Sequence, residues 1–195
     1  MSPVRLVGVL DTNVLMRARL MQFLVAGTDT DSCVLRWSED IRAELEQTGL
    51  RERPSVLPSL LQLADAVHDA VLPVHPDDLG ASTGHCDALD EHVLAAAICA
   101  VRLRAHPDYP WDGESEIVLV TDNLRDFDID YALSRGLRVI GVDQFGLLLL
   151  ELAPHAILTM IDREPQDRYA GYLQQMRDDG LPATADRIDQ LFAQL

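Results

Sequence analysis

Two apolar runs, far apart in the chain, each stop in a polar triplet, and this pairing constrains the fold more than any other feature. Residues 5–10 lead into Asp11-Thr12-Asn13, and residues 117–120 lead into Thr121-Asp122-Asn123. Short, uninterrupted apolar runs suit strands buried on both faces of a parallel sheet. Open α/β sheets place their ligands just beyond the carboxyl ends of such strands, so both triplets fall where chemistry is done. Asp11 then has two readings, a site carboxylate or a cap for the helix that follows.

The rest of the chain alternates in the same way. A helix is predicted over residues 14–26, closed by Gly27, then a short strand over 33–37. Ser38 is an N-cap with Glu39 and Asp40 in the first turn, where the helix dipole favours acids. That helix reaches about Gln47, with Ile41, Ala43 and Leu45 facing inward. Glu44 sits on the border of the same face, as a solvated flank or a ligand. Residues 48–58, with Gly49, Pro54 and Pro58, read as a surface connection. A helix over 59–70, a short strand over 71–74 and a loop over 76–84 follow. In the block from Asp87 to Ile98, Asp87 and Asp90 are three apart and share a helix face near its N-terminus, as caps or as ligands. His92 reads as an exposed or hydrogen-bonded residue rather than a ligand. A strand over 137–142 follows a short helix closed by Gly136, and Asp143 opens an apolar helix ending near Leu152. The expectation is a three-layer α/β/α domain with a mostly parallel central sheet over residues 1–152. Residues 153–195 form a helical extension, broken at Pro165 and at Gly180-Leu181-Pro182. Its stripe of Ile188, Leu191, Phe192 and Leu195 packs on the domain or on a partner.

Composition removes several chemistries. All sixteen basic side chains are Arg, with no Lys anywhere, so neither a P-loop nor a Schiff-base site can exist. G-x-G-x-x-G, H-E-x-x-H and G-x-S-x-G are all missing. A net charge of −16 argues against a protein that coats nucleic acid. It leaves room for a metal-dependent nuclease, because divalent ions reverse the local sign of a carboxylate site. Cys33, Cys86 and Cys99 form no C-x-x-C pair and read as small buried hydrophobes. No run approaches the roughly 18 apolar residues of a membrane span, and no signal-peptide pattern opens the chain, so a cytoplasmic protein without a membrane partner is expected.

Carboxylates gathered at one sheet edge raise one another's pKa unless cations neutralise them, and hard oxygen donors suit Mg²⁺ or Mn²⁺. Four blocks carry a family resemblance: L-D-T-N-V-L from Leu10, W-S-E-D-I-R-A-E-L from Trp37, D-A-L-D-E-H-V-L-A-A-A-I from Asp87 and V-T-D-N-L-R-D-F from Val120. Over residues 6–152 the chain resembles the PIN domain, specifically the VapC-like ribonuclease toxins of toxin–antitoxin pairs. The resemblance implies acids that meet at the C-terminal edge of the sheet, bind Mg²⁺ or Mn²⁺ and cut single-stranded RNA. By position it implies catalytic roles for Asp11, Glu44, Asp90 and Asp126, with Asp11, Asp90 and Asp126 on the metal. Asn13, Thr121, Asn123, Asp87 and Asp122 support them. Many members carry Asp where this chain has Asn123, so Asp126 is taken as the substitute acid. Arg17, Arg19 and Arg125 are candidates for RNA phosphates. A small DNA-binding antitoxin and a homodimer are the implied partners. The alternative is a degenerate PIN-like module that binds a partner without catalysis. A haloacid dehalogenase-type phosphatase would need Asp at position 13 and a Lys, and a receiver domain also needs a Lys.

Overall fold

Five strands, Leu6–Leu10 (β1), Cys33–Ser38 (β2), Val71–Leu72 (β3), Glu116–Val120 (β4) and Arg138–Ile140 (β5), pair in parallel throughout, in the order β3-β2-β1-β4-β5. The computed structural model describes residues 4–28, 32–67, 69–162 and 166–193. From β1 the chain winds outward through β2 and β3, then crosses to the other side of β1 for β4 and β5. The strand order therefore reverses between β1 and β4, and such a switch point opens a crevice at the carboxyl ends. Leu10 is level with Val120 in the register, and the Asp11 N–H donates to Val120 O at 3.1 Å. Asp11 and Thr121 thus leave the sheet side by side.

Helices cover both faces. Glu91–Arg102 (α6) packs across β1, β2 and β4, and its Ala95, Ala96, Ala97 and Ala100 are all buried, letting helix and sheet approach closely. Val142–Leu152 (α8) lies on the face to which Gly8 of β1 points. A Cβ at Gly8 would meet Phe145 Cζ at 2.5 Å, so this strand glycine is the space the aromatic ring occupies. Ala18–Gly27 (α2) lies beside α8.

Several local expectations give way. The helix expected over 14–26 is two, Thr12–Leu15 (α1) and α2, because Arg17 is extended at φ −111°, ψ 99°. Glu39–Glu52 (α3) passes Gln47 without a break. Its Ser38 cap is as expected, with Ser38 Oγ accepting from the Ile41 N–H at 3.2 Å. Gly49 serves close packing rather than termination, since a Cβ there would meet Leu57 Cδ1 at 2.6 Å. The inward face of α3 is Ile41, Leu45 and Gly49, a spacing of four, which leaves Ala43 exposed. The connection expected over 48–58 shrinks accordingly, because Leu57–Asp65 (α4) already begins at Leu57 with Pro58 in its first turn.

The loop expected over 76–84 contains a helix, Pro76–Ser82 (α5). Pro76 opens it, and the Asp78 carboxylate accepts from the His75 N–H at 2.9 Å. Pro and Asp there are helix starters, not loop formers. Ile129–Ser134 (α7) precedes β5.

After Leu152 come Pro154–Asp162 (α9), Gln166–Asp178 (α10) and Pro182–Phe192 (α11). α9 packs on α2 and α11 on α8, with Ala185 and Ile188 buried and Leu191 and Phe192 half-buried. Gly180, at φ +88°, makes the turn between α10 and α11. Asp143 does not open its own helix, which begins at Val142. Its carboxylate instead accepts from the Ala183 and Thr184 N–H groups at 3.0 and 2.9 Å and from Thr184 Oγ1 at 2.7 Å, capping α11. Pro165 and Leu195 lie outside the described residues. Cys33, Cys86 and Cys99 are free thiols, each pushed up to about 12, chiefly by burial. Among the described residues no single helix is long and apolar enough to cross a membrane.

The Gly8–Phe145 contact is testable. Gly8→Ala is expected to cost roughly 1–3 kcal/mol of stability in urea unfolding. Phe145→Leu should relieve part of that cost in a double-mutant cycle. Simple additivity of the two changes would show that the ring and the glycine do not compete for one space.

Candidate functional site

β1 ends in a carboxylate that is only 4 % exposed. Asp11 Oδ2 accepts from Thr121 Oγ1 at 2.6 Å and from Asn13 Nδ2 at 2.7 Å. Although Asp11 stands at the N-cap position of α1, its side chain makes no capping hydrogen bond. The carboxylate is therefore directed to the end of β4, and the capping reading fails. Burial raises its pKa above the ordinary 3.8, and the Thr121 hydrogen bond, the Thr12 N–H and His92 only partly offset this, while Glu44 adds to it.

Thr121 ties the two strand ends together. Besides donating to Asp11, its Oγ1 accepts from Asn13 Nδ2 at 3.3 Å and from the Asn123 N–H at 3.0 Å. The neighbouring Thr12 does a similar service for α3: its Oγ1 donates to Glu44 Oε2 at 2.5 Å, and His92 Nε2 lies 3.1 Å from the same oxygen. Glu44 is thereby fixed between α1 and α6, and it belongs to the site rather than to a solvated flank.

These groups surround a cleft of about 300 Å³ lined by Asp11, Asn13, Glu44, Asp90 and Asn123, with Arg17 and Arg53 on its wall. Asn13 Oδ1, on that wall, is buried without a hydrogen-bond donor. Asp90 occupies the N-cap position of α6 but makes no side-chain cap bond. Burial, then the charges of Asp11, Asp126 and Glu44, push its pKa up to about 6, against a lowering by His92.

The other predicted residues fall around this cluster. Asp126 is close enough to Asp90 to raise its pKa, yet it does not line the cleft, and its carbonyl accepts from the Asp87 N–H at 2.9 Å. Asp87 is exposed in the turn before α6, so the helix face it was expected to share with Asp90 does not exist. Asp122 forms an ion pair with Arg17, whose Nη1 also donates to Asp179 O at 2.7 Å. Arg125 is exposed, and the side chain of Arg19 lies outside the described residues.

Three participants went unnoticed in the sequence. Thr12 lies inside the first polar triplet, where its hydroxyl was a visible signal. His92 follows Asp90 by two positions, and its partner on α3 was invisible without the fold. Arg53, whose Nη1 donates to Met16 O at 3.2 Å, sits in a segment that reads as connection and carries no signal.

Chemically, the cleft offers carboxylate and amide oxygens facing two guanidinium groups. Among the described residues no three His, Cys, Asp or Glu side chains stand close enough to hold one metal ion between them. The donor set nevertheless suits a hard cation in kind: crowded acids with raised pKa values beside an amide oxygen that lacks a donor. Comparison of the chain with protein-family models, curated proteins and solved structures found no match.

The raised pKa of Asp90 has a defined sign in stability. The folded state holds this proton more tightly than the unfolded chain, so the group favours folding below about pH 4. That contribution is lost as pH rises through about 6. In chelator-treated protein at pH 8, Asp90→Asn is expected to raise stability by about 1 kcal/mol, after discounting for partial exposure. The corresponding Tm increase is about 2–4 °C. At pH 4 the substitution should change little. Thermal melts at the two pH values check this, and a Tm that falls at pH 8 would refute it.

Proposed function

We propose that the chain is a metal-dependent endoribonuclease of the PIN type that cleaves single-stranded RNA with Mg²⁺ or Mn²⁺. One observation carries this reading: Asp11, Glu44 and Asp90 line a single cleft at the sheet's switch point, facing Arg17 and Arg53. A divalent cation, when bound, supplies a lowered water pKa and neutralises charge on the phosphoryl oxygens. Asp11, Asp90 and the free Asn13 Oδ1 are the groups that would hold it, with Asp126 adding negative charge beside Asp90. Glu44, held by Thr12 and His92, is placed to orient a water and accept its proton. Arg17 and Arg53 receive the phosphates flanking the scissile bond, which a chain of net charge −16 could not otherwise attract. Asn123, in place of an acid, contributes a neutral contact on the cleft wall.

The toxin role follows by analogy with VapC-like proteins and implies a small DNA-binding antitoxin that covers the cleft. Leu89, 87 % exposed and adjacent to Asp90, and Leu124, 41 % exposed and adjacent to Asn123, are apolar groups beside the site that such a partner would bury. A second reading has its own observation. The lack of a ready three-ligand group among the described residues favours a PIN-like module that binds a partner without catalysis.

With purified protein, Mn²⁺ and single-stranded RNA, Asp11→Asn is expected to lower cleavage at least about 100-fold, and Thr121→Val about 10–100-fold through loss of the group that orients it. Arg53→Ala should raise KM about threefold to tenfold with kcat retained, and should weaken the salt dependence. Full activity after Asp11→Asn sinks the site assignment. No cleavage, together with no Mg²⁺ or Mn²⁺ binding tighter than millimolar by calorimetry, selects the non-catalytic module.

A further inference from the structure

A second cavity, of about 870 Å³, opens against the β2–β3 edge of the sheet, at the end of α6 far from the acidic cleft. Twelve residues of helix, about 18 Å, separate the two. The wall of this cavity includes Arg36 and Trp37 of β2, which are 4 % and 1 % exposed. Arg36 Nη1 donates to Leu35 O at 2.7 Å, and the guanidinium carbon lies 5.1 Å from the centroid of the Trp111 ring. Neither Arg36 Nε nor Trp37 Nε1 has an acceptor. A buried guanidinium is ordinarily paired with a carboxylate, and among the described residues Arg36 has no such partner.

The other arginines of the wall are already engaged. Asp78 takes Arg102 with both oxygens, at 3.0 and 2.9 Å, and Asp65 takes Arg42 at 2.7 Å. Ala64, Val67 and Leu103 give the cavity apolar surface, while Asp69 and Asp108 are exposed acids on its lining. We infer that this cavity binds a small monocarboxylate with an apolar body, its carboxylate accepting hydrogen bonds from Arg36 and Trp37 Nε1. The side edge of a guanidinium matches the two oxygens of a carboxylate. The acids admit a singly charged ligand more readily than a dianion, which excludes phosphate and phosphate esters. This site is independent of the nuclease reading.

The test is calorimetric and NMR titration of the full chain with phenylacetate, with inorganic phosphate as the competing chemistry. Saturable phenylacetate binding with a Kd of about 1 mM or tighter is expected. Phosphate should bind at least about tenfold more weakly. Arg36→Met should abolish binding, with circular dichroism confirming a folded variant. Asp69→Asn tests the same site without touching the core. Asp69 is exposed at φ +52°, a conformation that Asn tolerates, and removing its charge should tighten phenylacetate about threefold to fivefold at low salt. Asp11→Asn should leave the titration unchanged. The inference is overturned if phenylacetate does not bind, if phosphate binds equally well, or if Asp69→Asn leaves the affinity where it was.

Discussion

A buried carboxylate bridging two strand ends is the constraint on which the site depends. Asp11 emerges from β1 at the point where the sheet order reverses, and the Thr121 hydroxyl at the end of β4 meets it at 2.6 Å. An acid this deeply buried is costly to ionise, and one hydroxyl and one amide donor only partly offset the cost. Thr121 must therefore hold its rotamer, and it does so by accepting in turn from Asn13 and from the Asn123 backbone. The loop after β4, with Asp122, Asn123 and Asp126, inherits its course from that hydroxyl. A parallel register that brings Leu10 level with Val120 is what allows a single residue to serve both strands.

The remainder of the chain is arranged so that these two ends can lie close to helices carrying further acids. Alanines along α6 let that helix settle on β1, β2 and β4, which brings Asp90 to the mouth of the switch point and His92 to Glu44. On the opposite face Gly8 makes room for Phe145, and α8 carries the tie to the C-terminal helices through Asp143. The extension is not remote from the site. Its α10–α11 turn accepts a hydrogen bond from Arg17, which also pairs with Asp122, so the position of that guanidinium on the cleft depends on both ends of the chain.

Much of this was legible in the sequence, for identifiable reasons. The buried strands β1 and β4 showed as apolar runs because both of their faces are covered, and Ser38 announced α3 because its cap chemistry is local. The strand-end position of Asp11 and Thr121 followed from the same runs. What escaped depended on contacts between distant segments. Gly49 looks like a terminator until Leu57 is seen against it, and Asp143 looks like a cap for its own helix until Thr184 arrives forty-one residues later. Asp87 and Asp90 looked equivalent at a spacing of three. Only the start of α6 at Glu91 separates them, leaving Asp87 in solvent and Asp90 in the cleft. Arg53 offered no pattern at all, since its place on the cleft follows from α3 outrunning its expected end.

Asp90 also shows which electrostatic effect dominates the cleft. A carboxylate at the N-terminus of a twelve-residue helix gains from the helix dipole, by about 0.3–1 kcal/mol at an exposed site. That gain alone would lower its pKa. The group is instead pushed up to about 6, so burial and the fields of Asp11, Asp126 and Glu44 outweigh both the dipole and His92. Each pKa unit corresponds to about 1.4 kcal/mol, so the opposition amounts to more than the dipole can return, even after allowance for the solvent that reaches Asp90. Arg17 does not relieve it, because its charge is committed to Asp122. The acids of the cleft are thus held together by the fold against their mutual repulsion, and an added cation is the partner that would turn that repulsion into binding energy. This is the physical reason for reading the cleft as a metal centre rather than as a set of helix caps.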